Sequence, residues 1–217
     1  MFCFLANFQY ICTQKQYMER FIMQDLIAWK NRKDRKPLIL LGARQVGKTY
    51  ILKEFGQREF ENVAYINCDN NAMAKDLFAS DYNIDRILLT IGAITGVNIE
   101  AGKTLIIMDE IQELHRGLAS LKYFCENARE YHVAVAGSLL GLSLHQGESY
   151  PVGKVNTLEM YPMTFEEFLW ARGFKQRMDL LQHGMWDVVK SLRTLYIQHL
   201  REYYLVGGMP EAVNKFI

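Results

Sequence analysis

The sequence predicts an α/β fold, a three-layer sandwich built on a central parallel sheet of about five strands. Short apolar runs, typical of strands buried on both faces, alternate along the chain with segments of helical periodicity. The chain has 217 residues, of which 50% are hydrophobic and 23% charged, as in a soluble globular protein. This composition excludes disorder over most of the chain and suits one large domain, or one domain with a small appendage.

This alternation assigns each element in order. The predicted strands are residues 37–41, 63–67, 104–108, 133–136 and 155–160, and the predicted helices are residues 18–29, 47–55, 72–79, 84–94 and 118–129. Residues 141–153 are glycine-rich and are predicted to form a loop. From Thr164 to about residue 205 the pattern is helical, with breaks near Gly173 and Gly184. We therefore expect an N-terminal extension (1–17), a main domain (18–162) and a helical subdomain (163–217).

Charge and cysteine content narrow the classes of partner and cofactor. Lys plus Arg number 25 and Asp plus Glu number 24, so a net charge of +1 gives no global attraction to nucleic acid or acidic membrane.

The four cysteines lack metal-site spacing, which predicts free, buried thiols in a reducing compartment: Cys3, Cys12, Cys68 and Cys125. The apolar first dozen residues are too short to span a bilayer and lack signal-peptide features. We expect a cytoplasmic protein with no membrane partner.

Residues 42–49, GARQVGKT, fit the phosphate-binding pattern G-x-x-x-x-G-K-[ST] at every fixed position. The motif follows a predicted buried strand and precedes a predicted helix, so backbone N–H groups and the helix N-terminus converge on one anion. Lys48 is predicted to reach the β- and γ-phosphates, and the Thr49 hydroxyl to bind Mg²⁺. The alternative is a glycine-rich turn with a surface lysine. The predicted nucleotide-binding residues are Gly42, Ala43, Arg44, Gln45, Val46, Gly47, Lys48, Thr49 and Tyr50. Arg44 and Gln45 occupy variable positions and are assigned backbone contact only.

An acidic pair follows the third predicted strand. Asp109, at the end of the apolar run 105–108, is predicted to hold Mg²⁺. Glu110 is predicted to polarise the water that attacks the γ-phosphate. The alternative for Glu110 is a charge at a helix N-terminus.

Ser138 follows the fourth predicted strand and is a weaker catalytic candidate. If this strand lies between the first strand and the Asp109 strand, the Ser138 hydroxyl would lie near the γ-phosphate. There it would position water or sense the phosphate. The equally weighted alternative is that Ser138 caps the following turn.

Three segments, GARQVGKT, LIIMDEIQ and VAVAGSLLG, together resemble prokaryotic AAA-type ATPases of the P-loop class. The most similar group carries a C-terminal restriction-endonuclease-like domain of unknown function. Further matching segments are residues 34–40 (DRKPLIL), 160–169 (MYPMTFEEFL) and 204–211 (YLVGGMPE). The resemblance runs from about residue 18 to the last residue.

The resemblance implies ATP and Mg²⁺ as ligands, with Lys48 and Thr49 at the nucleotide and metal, Asp109 at Mg²⁺ and Glu110 as the catalytic base. Members are typically about twice as long, so we expect either a fragment or a truncated gene product. A DNA or protein client would be reached through the further domain. Ring-forming relatives place an arginine finger after the sensor strand, but residues 137–153 contain no Arg or Lys. A homo-oligomer with catalysis in trans would use one of four candidates: Arg116, Arg129, Arg193 or Arg201.

These features favour an ATPase that couples its nucleotide state to movement of the helical subdomain. A GTPase is disfavoured because no N-K-x-D segment follows the phosphate-binding motif. A small-molecule kinase is disfavoured because the region 141–153 has no arginine for a lid. The alternative from another functional class is a non-hydrolysing, nucleotide-gated binding module. Glu110, the acidic residue beside Asp109, argues against this alternative.

Overall fold

Five parallel strands form the centre of the protein. The computed structural model describes residues 18–69, 71–75, 77–78, 81–138 and 151–217, without the Ser138 side chain. The strands are β1 (Leu38–Gly42), β2 (Asn62–Asn67), β3 (Thr104–Asp109), β4 (His132–Ser138) and β5 (Asn156–Met160). Their order is β2-β3-β4-β1-β5, and every neighbouring pair is parallel. The predicted α/β fold with about five parallel strands is confirmed. The predicted extension 1–17 and most of the predicted loop 141–153 lie outside the described residues.

Helices cover both faces of the sheet, which gives the three layers. Those before residue 130 are α1 (Ile22–Lys30), α2 (Lys48–Glu59), α3 (Ala72–Lys75), α4 (Ile84–Thr95) and α5 (Gly117–Asn127). Because strand side chains alternate between faces, Leu38 and Leu40 pack with α1 and α2, whereas Ile39 packs with α4 and α5.

Three helices differ from the predicted ones by four residues at one end. Helix α1 begins at Ile22 rather than at residue 18, since the Phe21 N–H donates to Glu167. Helix α2 continues past Gly56 to Glu59, and a Cβ at Gly56 would lie 2.6 Å from a methyl group of Val63. The glycine there allows close packing of helix on sheet and does not end the helix. Helix α3 is shorter than predicted, since Leu77 and Phe78 form a fully buried turn.

The last third of the chain is helical, as predicted. It contains α6 (Phe165–Ala171), α7 (Lys175–Gln182), α8 (Trp186–Ser191), α9 (Arg193–Val206) and α10 (Pro210–Phe216). These helices pack around small cores of their own, centred on Phe168 and on Leu169, Met178 and Tyr196. The sequence analysis missed α10, although a proline at its first position is a common helix start. The separate cores favour the predicted boundary near residue 162, which stays a prediction.

Membrane and cysteine features were also predicted from the sequence. No helix in the described part of the chain is long and apolar enough to cross a membrane. Cys68 and Cys125 are free and buried, as expected, whereas Cys3 and Cys12 lie outside the described residues.

His132 makes the fold sensitive to acid. Its ring is buried against Trp29 and Phe60, and burial, with help from nearby Arg35 and Lys30, lowers the pKa of His132 to about 4. The unfolded chain binds a proton at about pH 6.5, so stability falls as the pH drops from about 6.5 towards 4. With solvent screening allowed for, the loss is on the order of 1–2 kcal/mol.

We expect His132→Gln to remove this part of the pH dependence, measured as urea unfolding free energy at pH 7.5 and pH 5. The exposed His183 supplies the control, because His183→Gln is expected to keep the wild-type pH dependence. Equal pH dependence in wild type and His132→Gln would contradict the assignment.

Candidate nucleotide-binding and catalytic site

The phosphate loop, residues 42–49, joins β1 to α2 at the carboxyl end of the sheet. Gly42 lies beside Met160 of β5, and a Cβ on Gly42 would lie 2.3 Å from the Met160 carbonyl oxygen. Gln45 and Gly47 have positive φ angles of 66° and 97°, which turn the loop back on itself. Gly47 precedes α2 without a side-chain cap, so the first N–H groups of α2 are available to an anion.

Lys48 lies inside this loop. Its Nζ donates hydrogen bonds to the carbonyl oxygens of Gly42 at 3.0 Å and Ala43 at 2.9 Å. Burial lowers the pKa of Lys48, while the charges of Glu110 and Asp109 oppose that shift. The cation is therefore held at the position where the sequence predicts contact with phosphates.

Asp109 ends β3 within reach of the phosphate loop. Its Oδ2 accepts hydrogen bonds from Thr49 Oγ1 at 2.5 Å and from the Tyr65 hydroxyl at 3.3 Å. Its other oxygen, Oδ1, is buried and has no hydrogen-bond partner among the described residues. An unpaired buried carboxylate oxygen is costly, and a hard cation would satisfy it. Thr49 and Asp109 thus fit Mg²⁺, which keeps water and phosphate oxygens as its other ligands.

The two titratable side chains beside Asp109, Tyr65 and Cys68, stay protonated. Burial, followed by the charge of Asp109, raises the pKa of Tyr65 and of Cys68 to about 12 each. Tyr65 therefore stays a hydrogen-bond donor to Asp109, and Cys68 stays a neutral thiol without nucleophilic character. The described part of the chain contains no group of three or more His, Cys, Asp or Glu side chains that could hold a metal.

Glu110 follows Asp109 in a left-handed backbone conformation, with φ 53° and ψ 47°. Such angles are uncommon outside glycine, and they start a 3₁₀ turn over Ile111–Glu113. The half-buried Glu110 side chain lines the cavity next to Lys48, and its Oε2 accepts a hydrogen bond from Gln112. The sequence analysis did not assign a role to Gln112, which orients the predicted base from two residues away.

Strand β4 lies between β1 and β3, which is the condition set for a catalytic role of Ser138. In the strand register Ser138 is the partner of Gly42, so its backbone lies beside the start of the phosphate loop. The Ser138 side chain is outside the described groups, and its role stays a prediction.

A cavity of about 1050 Å³ opens over the phosphate loop. Its lining residues come from five separate parts of the chain and are Met18, Arg20, Arg44, Gln45, Gly47, Lys48, Thr49, Tyr50, Lys53, Glu54, Gln57, Glu110, Met160, Pro210, Glu211 and Asn214. Helix α10 therefore forms one wall, with Pro210 Cγ within 3.7 Å of where a Cβ on Gly47 would lie. Of the predicted nucleotide-binding residues, Arg44, Gln45 and 47–50 line this cavity, whereas Gly42, Ala43 and Val46 do not.

Arg20 connects the loop to the helical tail (residues 163–217). Its side chain is 5% exposed, and it donates to the carbonyl oxygens of Val46 at 3.1 Å and Tyr161 at 2.7 Å. Its Nε pairs with Glu167 Oε1 at 3.0 Å, in a side chain that is also 5% exposed. The same carboxylate accepts the Phe21 N–H at 2.8 Å and completes the capping box of α6. Sequence reasoning missed this pair because its members are far apart in the chain.

The four arginine-finger candidates do not line the cavity. Arg116 lies over the Tyr82 ring and donates to its hydroxyl, and Arg129 donates to the Cys125 carbonyl at 2.6 Å. Arg193 and Arg201 are exposed on α9. The arginines that do line the cavity are Arg20 and Arg44.

Residues 34–169, more than half of the chain, match the AAA domain family. The chain belongs to the AAA domain family. The predicted resemblance to AAA-type P-loop ATPases is thereby confirmed at the level of the ATPase domain. The restriction-endonuclease-like domain of the most similar group stays a prediction.

Relatives of this AAA domain include the uncharacterized protein MJ1637 of Methanocaldococcus jannaschii, 27% identical over 218 residues. The match covers 93% of this chain and 44% of that protein, so the chain spans less than half of its relative. Among solved structures, Aeropyrum pernix ORC1 in complex with DNA is 14% identical with a TM-score of 0.43, covering 70% of this chain and 47% of that one. A mutant of Thermotoga maritima RuvB is 20% identical with a TM-score of 0.43, covering 77% of this chain and 52% of that one.

Proposed function

We propose that this AAA domain binds and hydrolyses ATP with Mg²⁺ and transmits its nucleotide state to the helical tail. The observation that carries the proposal is the buried, unpaired Oδ1 of Asp109, next to Thr49 and one residue before Glu110. A cation ligand, a phosphate cradle and a candidate base therefore lie at one end of the sheet.

In the proposed reaction, the oxygen of water forms a bond to the γ-phosphorus. The bond from that phosphorus to the bridging oxygen breaks, and its electron pair leaves with ADP. Glu110 takes the proton of the attacking water, and Lys48 exchanges its carbonyl partners for phosphate oxygens. Thr49 and Asp109 would hold Mg²⁺, which neutralises charge on the β- and γ-phosphates when bound. Ser138 is proposed to contact the γ-phosphate or the water.

The helical tail is proposed to move with nucleotide state because it touches the loop in two places. Helix α10 lines the cavity, and Glu167 of α6 binds Arg20, which binds the loop carbonyl of Val46. A change in the loop on binding or hydrolysis would thus strain contacts to the tail. The client, DNA or protein, is proposed to bind through chain regions beyond this ATPase domain.

The test is steady-state phosphate release from ATP with Mg²⁺, together with ATP affinity, for wild type and three variants. Glu110→Gln is expected to bind ATP normally and to lose activity by about 10²- to 10⁴-fold, because the base is removed. Lys48→Ala is expected to lose binding, because the loop loses its cation. The exposed Glu113 gives the matched control, since Glu113→Gln removes a nearby acid outside the cavity and is expected to keep wild-type activity.

ATP binding by wild type with no phosphate release would contradict hydrolysis and favour the nucleotide-gated binding module. Equal activity of Glu110→Gln and wild type would contradict the role of Glu110 alone.

A further inference from the structure

The side chain of Arg44 has no role in the site as described so far, since only its backbone was assigned a contact. Its side chain is exposed and lines the cavity with Lys48, Thr49 and Glu110. In the described part of the chain it makes no hydrogen bond and no ion pair, whereas Arg20, the other arginine of the cavity wall, is held by Val46, Tyr161 and Glu167. Arg44 is therefore the arginine of this cavity that remains available to a ligand.

The loop backbone presents Arg44 close to the phosphate cradle. Lys48 Nζ is bound to the carbonyl of Ala43, the residue directly before Arg44. Gln45, directly after it, has a positive φ of 66° and reverses the chain. Residue 44 thus stands at the bend of the loop that holds Lys48, and both side chains line the same cavity.

In many P-loop enzymes, the loop lysine and a metal ion do not supply enough positive charge to cleave a triphosphate. An arginine, provided by the same chain or by a partner, commonly stabilises the charge that develops on the transferred group. The arginines predicted for that task from the sequence are packed elsewhere or lie outside the cavity. The phosphate loop itself carries a free guanidinium at the required end of the sheet.

We propose that Arg44 is a catalytic residue that acts in cis, donating N–H hydrogen bonds to a γ-phosphate oxygen of the nucleotide bound by its own loop. The proposal rests on the proposed ATPase function and deepens it. Arg44 transfers no proton: water still bonds to the γ-phosphorus, ADP leaves with the electron pair of the broken bond, and Glu110 accepts the proton. The guanidinium holds the oxygens on which charge builds up.

The first measurement is nucleotide affinity by calorimetry, with the full chain, Mg²⁺, ADP and a non-hydrolysable ATP analogue. Arg44→Ala is expected to weaken analogue binding by about tenfold and to leave ADP binding within about twofold, because ADP lacks the γ-phosphate. Arg32→Ala is the control, since Arg32 is exposed in the segment after α1 and lies outside this cavity, and it is expected to change neither affinity. Equal weakening of ADP and analogue would overturn the assignment to the γ-phosphate.

The second measurement is turnover. Arg44→Ala is expected to lower kcat by about 10²- to 10³-fold, with partial recovery in Arg44→Lys, which keeps charge without the planar donor fork. A one-to-one mixture of Arg44→Ala with Lys48→Ala is expected to show no activity beyond the sum of the two. Recovered activity in the mixture would overturn action in cis.

These readouts separate the two proposals. If wild type binds both nucleotides and releases no phosphate, hydrolysis is contradicted, while the difference between ADP and analogue still tests Arg44. If wild type hydrolyses ATP and Arg44→Ala does so equally well, hydrolysis stands and Arg44 is not catalytic.

Discussion

Gly42→Ala is expected to destabilise the protein by about 3 kcal/mol or more and to abolish nucleotide binding. The added Cβ would lie 2.3 Å from the carbonyl oxygen of Met160, a backbone atom that cannot rotate away. Relief requires β1 to separate from β5, and the two strands are paired along Leu38–Gly42. The phosphate loop begins at this residue, so the same displacement shifts the carbonyl that Lys48 Nζ contacts.

The matched control for Gly42→Ala is Gly96→Ala. Gly96 ends α4 with φ 69°, and a Cβ there would have nothing within 4 Å. Gly96→Ala therefore reports the strain of a positive φ without a collision, a cost of about 1 kcal/mol. Urea unfolding and calorimetric ATP binding measure both variants. Equal stability of Gly42→Ala and Gly96→Ala would show that β5 can move away from Gly42 at little cost. It would contradict the effect expected from the close contact with Met160.

The features predictable from the sequence are local ones. Strands β1, β3 and β4 contain continuous apolar runs, and the phosphate loop is a contiguous motif whose residue types dictate its geometry. Asp109 and Glu110 follow a buried strand directly, so their place at the carboxyl end of the sheet follows from parallel pairing. The predicted helix 47–55 ended one residue before Gly56, whereas the observed helix runs through this glycine, which packs closely against Val63.

The remainder of the site depends on contacts between distant parts of the chain. Arg20 and Glu167 meet because the segment before α1 packs against the start of α6. No local sequence pattern predicts a contact between residues so far apart in the chain. Helix α10 likewise lines the cavity with Pro210 through a contact between distant parts of the chain, which the sequence pattern does not predict. Arg44 was predicted to contact the nucleotide through its backbone only, because its position in the motif is variable, and the structure adds that its side chain has no hydrogen bond or ion pair among the described residues.

Glu167→Gln is expected to destabilise the protein by about 3 kcal/mol, because it leaves the buried Arg20 charge without its carboxylate. The amide oxygen keeps an acceptor for the Phe21 N–H, but the amide NH₂ cannot accept the Thr164 N–H, so the variant also weakens the capping box of α6. The control is Asp34→Asn in the ion pair with Arg32, whose side chains are 69% and 50% exposed. This surface pair is screened by water, and its loss is expected to leave the urea midpoint unchanged.

A double-mutant cycle with Arg20→Met separates the pair from the other bonds of each partner. Arg20→Met alone also removes the donors to Val46 and Tyr161, so its cost exceeds that of the pair. If the two charges act together, adding Glu167→Gln to Arg20→Met costs much less than Glu167→Gln does in wild type, with a coupling of about 2 kcal/mol. Strict additivity would show that Glu167 acts as a helix cap alone.

We expect the same pair to couple the phosphate loop to the helical tail. Arg20 contacts the loop at Val46, and Glu167 lies in the first turn of α6, so we expect a displacement of the loop to reach α6 through this ion pair. In wild type, an ATP analogue is expected to slow amide exchange in residues 42–49 and in α6 alike. In Glu167→Gln, protection of 42–49 is expected to persist while protection of α6 is lost, since the loop keeps its nucleotide contacts. If amide exchange in both 42–49 and α6 is still slowed in Glu167→Gln, the tail responds to the nucleotide through α10 instead, because that helix lines the cavity directly.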